Sequence, residues 1–335
     1  MLKPGILTKT AVIVLLVLTA AYSAYLLFQP PGGVIVTIPE NSTGEQIARI
    51  LKDNGLVPNE RVFLFLADLT GSARKLKKGA YLLSRRMSSL KMIFILRSGK
   101  TYTQKVTVPE GFTLEQIAVL LEQKGLARKD DFIRVVKSGK LEGFLFPETY
   151  FIESGMTSES IAAMMRAEFE KKYGASFSER AKELGMTTTQ VVTLASLIEK
   201  EAKVDSERVL ISGIFHNRLR KGWLLESCAS VRYALAPLTA SQSPKEQSRA
   251  AGQAGAAAGK DKLTYKDLNA DSPYNTYRRR GLPPGPICSP GLPSIKAALY
   301  PEKTDLMFFF SSGCGTHEFS RYYENHLKGQ RGYKK

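Results

Sequence analysis

Cysteine is scarce in this chain: Cys228, Cys288 and Cys314 are the only three in 335 residues, too few for a disulfide framework. They form no C-x-x-C pair and no metal-ligand spacing, so no redox motif, metal site or cofactor is expected. Histidine is equally rare. None of His216, His317 and His326 pairs with a Ser or Cys in a nucleophile motif, and Ser196 and Lys200 lack the S-x-x-K spacing of a Ser/Lys hydrolase. Acidic residues are also in short supply, 31 Asp and Glu against 48 Lys and Arg, leaving a net charge of +17. Such a chain seeks an anionic partner, and charge alone does not choose among nucleic acid, anionic lipid and an acidic polymer. What is present in quantity is apolar: at 43% hydrophobic residues the chain is neither disordered nor fibrous, and its length suits a substantial core in about two domains.

The longest uncharged run is Thr10 to Phe28, nineteen residues rich in Val, Leu, Ile and Ala. That length spans a hydrocarbon layer as a helix, and Lys3 and Lys9 ahead of it place residues 1–9 in the cytoplasm and the rest outside. A cleaved signal peptide is the competing reading, with Ala21-Tyr22-Ser23 as a tolerable site, but the apolar run continues past it to Phe28. The Gln29-Pro30-Pro31-Gly32-Gly33 stretch then reads as a linker.

Behind the linker the sequence repeats. Residues 36–56 align with 106–126 at a constant offset of seventy, with twelve of twenty-one positions identical. Average composition would give roughly one or two. Each copy has a β-rich run ending at Pro, a Thr that can cap, and apolar residues at helical spacing, Ile47, Ile50 and Leu51 in one and Ile117, Leu120 and Leu121 in the other. Gly55 and Gly125 stand where a helix C-terminus needs a left-handed residue. A second helix, through Val62–Leu66 or Phe132–Val136, and a closing strand, near Ala80–Leu83 or Thr149–Ile152, complete each unit. This βααβ order resembles the LysM fold, a module that grips glycan backbones, although spacers without a ligand would read the same way.

A third region, from about Ser158, centres on Thr187 to Glu201. Thr187 with Gln190 fits a capping box, and Val191, Leu194, Ala195, Ile198 and Ala202 form an apolar stripe at helical spacing. Glu199 stands at the border of that stripe, where desolvation can make a carboxyl a proton donor near neutrality. A Glu beside a Lys at a helix end is otherwise an ordinary solvated residue.

Five blocks in this order carry a resemblance over nearly the whole chain: Gly143-Phe144-Leu145-Phe146-Pro147-Glu148-Thr149-Tyr150, Leu194 to Glu201, Phe215-His216-Asn217-Arg218-Leu219, Asp271 to Tyr277, and Gly281 to Ile287. Together they are similar to the YceG-like family of endolytic murein transglycosylases. The resemblance implies an inner-membrane anchor, a LysM-like part, a catalytic part that cuts peptidoglycan strands internally, and Glu199 as the essential acid. It puts Ser196, Asn217, Glu226, Ser227, Tyr274, Asn275, Thr276, Tyr277 and His317 on the substrate side, with the Tyr and Asn side chains suited to sugar hydroxyls and pyranose faces. Tyr274 to Tyr277 read equally well as a loop with its tyrosines in the core, and His317 as structural. The fold expected is α+β: a transmembrane helix at 10–28, LysM-like modules at 34–100 and 101–157, and a mixed catalytic domain at 158–335 with its acid on a helix.

Peptidoglycan strands are the expected partner, with membrane synthases as further candidates; nucleic acid is excluded by the topology. Arg85-Arg86 and Arg278-Arg279-Arg280 can then meet acidic wall peptides or headgroups. Two alternatives stay open. One is a tethered, non-catalytic glycan-binding scaffold; the other is a muramidase that uses water and a second carboxylate, for which Glu201, Glu226 and Asp271 are candidates. The sequence departs from the family pattern at Glu226-Ser227-Cys228-Ala229-Ser230-Val231, which lacks the Asp of the usual Asp-Pro-Thr-Val run, and at the low-complexity insertion 236–262, expected to be a loop.

Overall fold

The computed structural model describes residues 32–239, 263–312 and 316–332. The chain divides into two compact units, one of residues up to Lys105 with Phe151–Met156, the other of Val106–Tyr150 with Thr157–Lys335. The boundary between units therefore does not follow the boundary between repeats.

In the smaller unit, strand β1 (Gly33–Ile38) pairs antiparallel with β2 (Gly79–Ser84), placing Val36 opposite Tyr81. Between them run helices α1 (Gly44–Asp53) and α2 (Glu60–Leu69), followed by α3 (Ser89–Ser98). Thr43 caps α1 in a box with Gln46, and Gly55 takes φ 66° just beyond its end, as the local pattern predicts. Val36, Ile38, Ile47, Leu51, Phe63, Tyr81, Leu83 and Met92 form the core of this unit.

Strands β3 (Thr103–Thr107) and β4 (Thr149–Glu153) form the second two-stranded sheet and enclose α4 (Leu114–Gln123) and α5 (Lys129–Ser138). The Thr113–Gln116 capping box of α4 repeats that of α1, and both copies turn through a left-handed residue after Pro-Glu, Asn41 at φ 58° and Gly111 at φ 75°. The βααβ order is thus present twice. The likeness to LysM is one of element order.

The rest of the larger unit is mostly helical. The segment α6 (Ser158–Glu183) is interrupted at Gly174, and α7 (Thr188–Glu201), α8 (Arg208–Arg220), α9 (Cys228–Thr239), the single turn α10 (Tyr265–Leu268) and α11 (Leu292–Leu299) follow. A hairpin of β5 (Phe308–Ser311) and β6 (His317–Ser320) and helix α12 (Tyr323–Gly332) end the described chain. Helix α9 continues past Ala236 to Thr239, into the segment expected to be a loop, and residues 240–262 lie outside the described part.

The inner-membrane, single-pass placement is corrected. Among the described residues no helix is long and apolar enough to cross a membrane, and the apolar run Thr10 to Phe28 lies outside them. Cys228 and Cys288 are free thiols, and burial pushes Cys288 up to about 12. Cys314 also falls outside the described residues.

Candidate active site

Helix α7 begins as its sequence predicts: Gln190 N–H donates to Thr187 Oγ1 at 3.2 Å, and Thr187 N–H donates to Gln190 Oε1 at 2.8 Å. Its interior buries the expected stripe and more. Every residue from Val191 to Ile198 is buried, because α6, α8, α9 and α11 all pack on this one helix. A helix buried on all sides is held firmly, and Glu199 is the first residue beyond the buried run.

The Glu199 side chain is only 8% exposed. Its Oε2 accepts the Gly291 N–H at 3.0 Å, at the N-terminus of α11, and its Oε1 accepts from Arg208 Nη1 at 3.3 Å. Helix dipole and guanidinium both favour negative charge at this point. Arg208 is itself anchored by Ser294 Oγ at 2.7 Å and Asp205 Oδ1 at 3.1 Å.

A second carboxyl stands beside this one. The left-handed turn at Gly111 brings the chain against α7, so that a Cβ on Gly111 would lie 3.6 Å from Glu199 Cγ and 3.7 Å from Lys200 Nζ. Gly111 N–H donates to Ser289 O at 2.8 Å and Ser289 N–H to Phe112 O at 2.9 Å, fixing that turn to the loop before α11. The Glu110 carboxyl lies so close to Gly291 that a Cβ there would overlap it. Open to solvent on its outer side, Glu110 is held above the usual carboxylate range by partial burial first and by the charge of Glu199 second, with Arg208 opposing.

The five sequence blocks do converge around α7. Gly143, at φ 79°, packs so tightly on Pro286 that a Cβ would overlap the ring, and Ile287 N–H donates to Ser196 Oγ at 3.0 Å. Most residues assigned to substrate, however, are turned inward. Ser196 is fully buried, its hydroxyl donating to Thr193 O at 2.7 Å while accepting from Ile287. Asn217 holds the carbonyls of Thr304 and Leu306, both at 2.9 Å. Ser227 donates to Glu201 Oε1 at 2.6 Å, and its N–H meets Thr276 Oγ1 at 2.9 Å, while Thr276 also pairs with Ser230. Asn275 ties down Leu268 O and Ala270 O at 2.9 and 2.8 Å.

Ser227, Ser230 and Thr276 lace the loop 268–277 to α9, and the inward turn of all these groups has one physical reason: a polar side chain read from sequence carries no direction, and buried backbone carbonyls need donors as much as a sugar does. Asn275→Ala is expected to leave two carbonyls unpaired and destabilise the fold by about 2 kcal/mol, measurable as a shift of the urea midpoint.

Tyr274 and Tyr277 are half-buried. Tyr274 packs at a tilt on Tyr233, with ring centroids 4.9 Å apart, and the Tyr233 hydroxyl donates to Glu142 Oε1 at 2.6 Å; Tyr277 meets Cys228 Sγ at 3.1 Å, and burial raises both Tyr274 and Tyr277 above their ordinary range. His317 is gripped by Glu207 through its Nδ1 at 2.7 Å and its backbone N–H at 3.0 Å, and it packs on Phe309. The candidate second carboxylates are also engaged elsewhere: Glu201 caps α9 through Ser227 and the Ala229 N–H, Glu226 pairs with Arg218 at 3.1 Å, and Asp271 pairs with Arg279 at 3.0 Å on the surface.

Arg208, Ser294, Gly291 and Glu110 are the site residues that sequence reasoning passed over. The repeat offered one signal, since Pro109-Glu110-Gly111 matches Pro39-Glu40-Asn41. Among the described residues no cluster of His, Cys, Asp and Glu has the arrangement of a metal site.

The sequence pattern of the YceG-like family matches residues 36–332. The endolytic murein transglycosylase of Bacillus subtilis (strain 168) is 33% identical over 328 residues, covering 90% of this chain and 84% of that protein. The protein of the same name from Streptococcus pneumoniae serotype 2 is 33% identical over 313 residues, covering 82% of this chain and 54% of the longer relative. In three dimensions the chain is similar to the crystal structure of a YceG-like protein from Listeria monocytogenes, with a TM-score of 0.54 at 31% identity over 89% of this chain and 98% of that one. With so much of its length matched, the chain belongs to the YceG-like family.

Proposed function

We propose that this chain is an endolytic murein transglycosylase that cuts peptidoglycan strands between N-acetylmuramic acid and N-acetylglucosamine, with Glu199 as its acid and then its base. One observation carries the reading: Glu199 is an almost buried carboxyl on a rigid helix, pointed by a guanidinium and a helix N-terminus, inside the span shared with relatives that bear this name.

The chemistry uses a single acid. Glu199 delivers a proton to the leaving glycosidic oxygen as positive charge builds on the muramyl ring. The resulting carboxylate then takes the proton of the muramyl 6-hydroxyl, whose oxygen closes on the anomeric carbon; the C1–O4 bond breaks, the C1–O6 bond forms, and a 1,6-anhydro end is left. Because the nucleophile belongs to the sugar, no water is consumed. A cleft in the smaller unit, lined by Pro39, Glu40, Asn41, Ile47, Leu76 and Lys78, supports the finer reading that this module holds glycan.

Mass spectrometry of purified peptidoglycan strands incubated with the protein tests the assignment. Anhydromuramyl ends at internal positions are expected. Reducing ends would make the chain a muramidase, and uncut strands would leave the scaffold reading.

A further inference from the structure

Two buried features of the site already hold negative charge, yet a general acid must begin with a proton. Arg208 contributes one positive charge, and its contact with Asp205 is mostly exposed, the Asp side chain being 84% accessible and its pairing correspondingly weak. Beside that guanidinium stand two carboxyls, Glu199 and Glu110, both meeting Gly291, one through its N–H and one against its Cα. The charged groups acting on Glu110 are Glu199 from α7, Asp205 from the turn before α8 and Arg208 from α8, while Lys200 Nζ from α7 lies against the neighbouring Gly111. In general two neighbouring carboxyls oppose each other's ionisation, and such pairs can hold one proton between them.

We propose that Glu110 is a positioning residue for Glu199: the two carboxyls share one proton, which the pair retains until the leaving oxygen of the glycan takes it through Glu199. This rests on the reading of Glu199 as the acid. The direction in which Glu110 is shifted agrees with it, since that carboxyl holds its proton more tightly than an ordinary one. The balance is complete within the pair. One proton leaves for the departing sugar oxygen, and one returns from the muramyl 6-hydroxyl. The repeat supplies an internal contrast, because the equivalent Glu40 pairs with Lys78 instead.

The test is the pH dependence of kcat/KM on purified peptidoglycan strands for the full chain, Glu110→Gln and Glu110→Asp, with Glu199→Gln alongside and circular dichroism to check folding. Removing the Glu110 charge weakens the pair's hold on its proton, so the alkaline limb of Glu110→Gln is expected to move about one pH unit lower, with activity kept at acid pH. Glu110→Asp, which retains a carboxyl, is expected to keep the limb near its original place. A limb that stays put while Glu110→Gln is slowed equally at all pH values would overturn the proposal and leave a structural role. So would a change from anhydro to reducing ends, which would assign Glu110 to water. Cleavage by Glu199→Gln would instead overturn the assignment of the acid, and the pairing with it.

Discussion

Glu199→Gln is expected to lose cleavage of peptidoglycan strands by at least about a hundredfold while keeping its fold, because general acid catalysis contributes roughly 10²–10⁴ and the amide has no proton of comparable acidity to give. The substitution is nearly isosteric. Its amide oxygen can still accept from Gly291 N–H, the bond that the carboxylate makes at 3.0 Å, so the loop before α11 keeps its seat. Turnover by mass spectrometry and melting by circular dichroism separate the two effects. A melting point close to that of the wild type with no new strand ends is the expected pair of results; retained cleavage would remove Glu199 from the chemistry.

Arg208→Ala has the largest expected cost in stability. The pair it breaks is buried on both sides, at 9% and 8% exposure. Removing one member of such a pair leaves an uncompensated charge, which costs about 3–5 kcal/mol. Ser294 Oγ also loses its partner at 2.7 Å, at the start of α11. Chemical denaturation would show the midpoint fall with the slope unchanged. A loss under about 1 kcal/mol would mean that the contact is screened by solvent and that the site is wetter than its geometry indicates.

What the sequence made legible here was local. The capping pairs Thr43–Gln46, Thr113–Gln116 and Thr187–Gln190 and the glycines 55 and 125 were readable because each depends on residues within one helical turn. Glu199 was a weak candidate by periodicity and a strong one by resemblance. Its partners were hidden for a geometric reason: Gly291 lies 92 positions away, and the Glu110 corner belongs to what reads as a separate module. All five residues of the expected stripe on α7 are buried, and burial extends round the helix because Thr193 and Ser196 satisfy their hydroxyls on their own helix and can lie with the apolar residues. Asn217, Ser227, Asn275 and Thr276 bond within the protein because packing, not residue type, decides which way a polar group faces.

The corner at Pro109-Glu110-Gly111 has a consequence for where the catalytic part of the chain begins. By sequence character that part opens at Ser158, yet Gly111 and Phe112 are stitched through Ser289 to the loop that touches Glu199. A fragment cut at Ser158 would retain the acid but lose those two backbone bonds and the neighbouring carboxyl. A piece that keeps the candidate site therefore includes Val106–Tyr150, and the second copy of a repeated segment supplies one wall of that site.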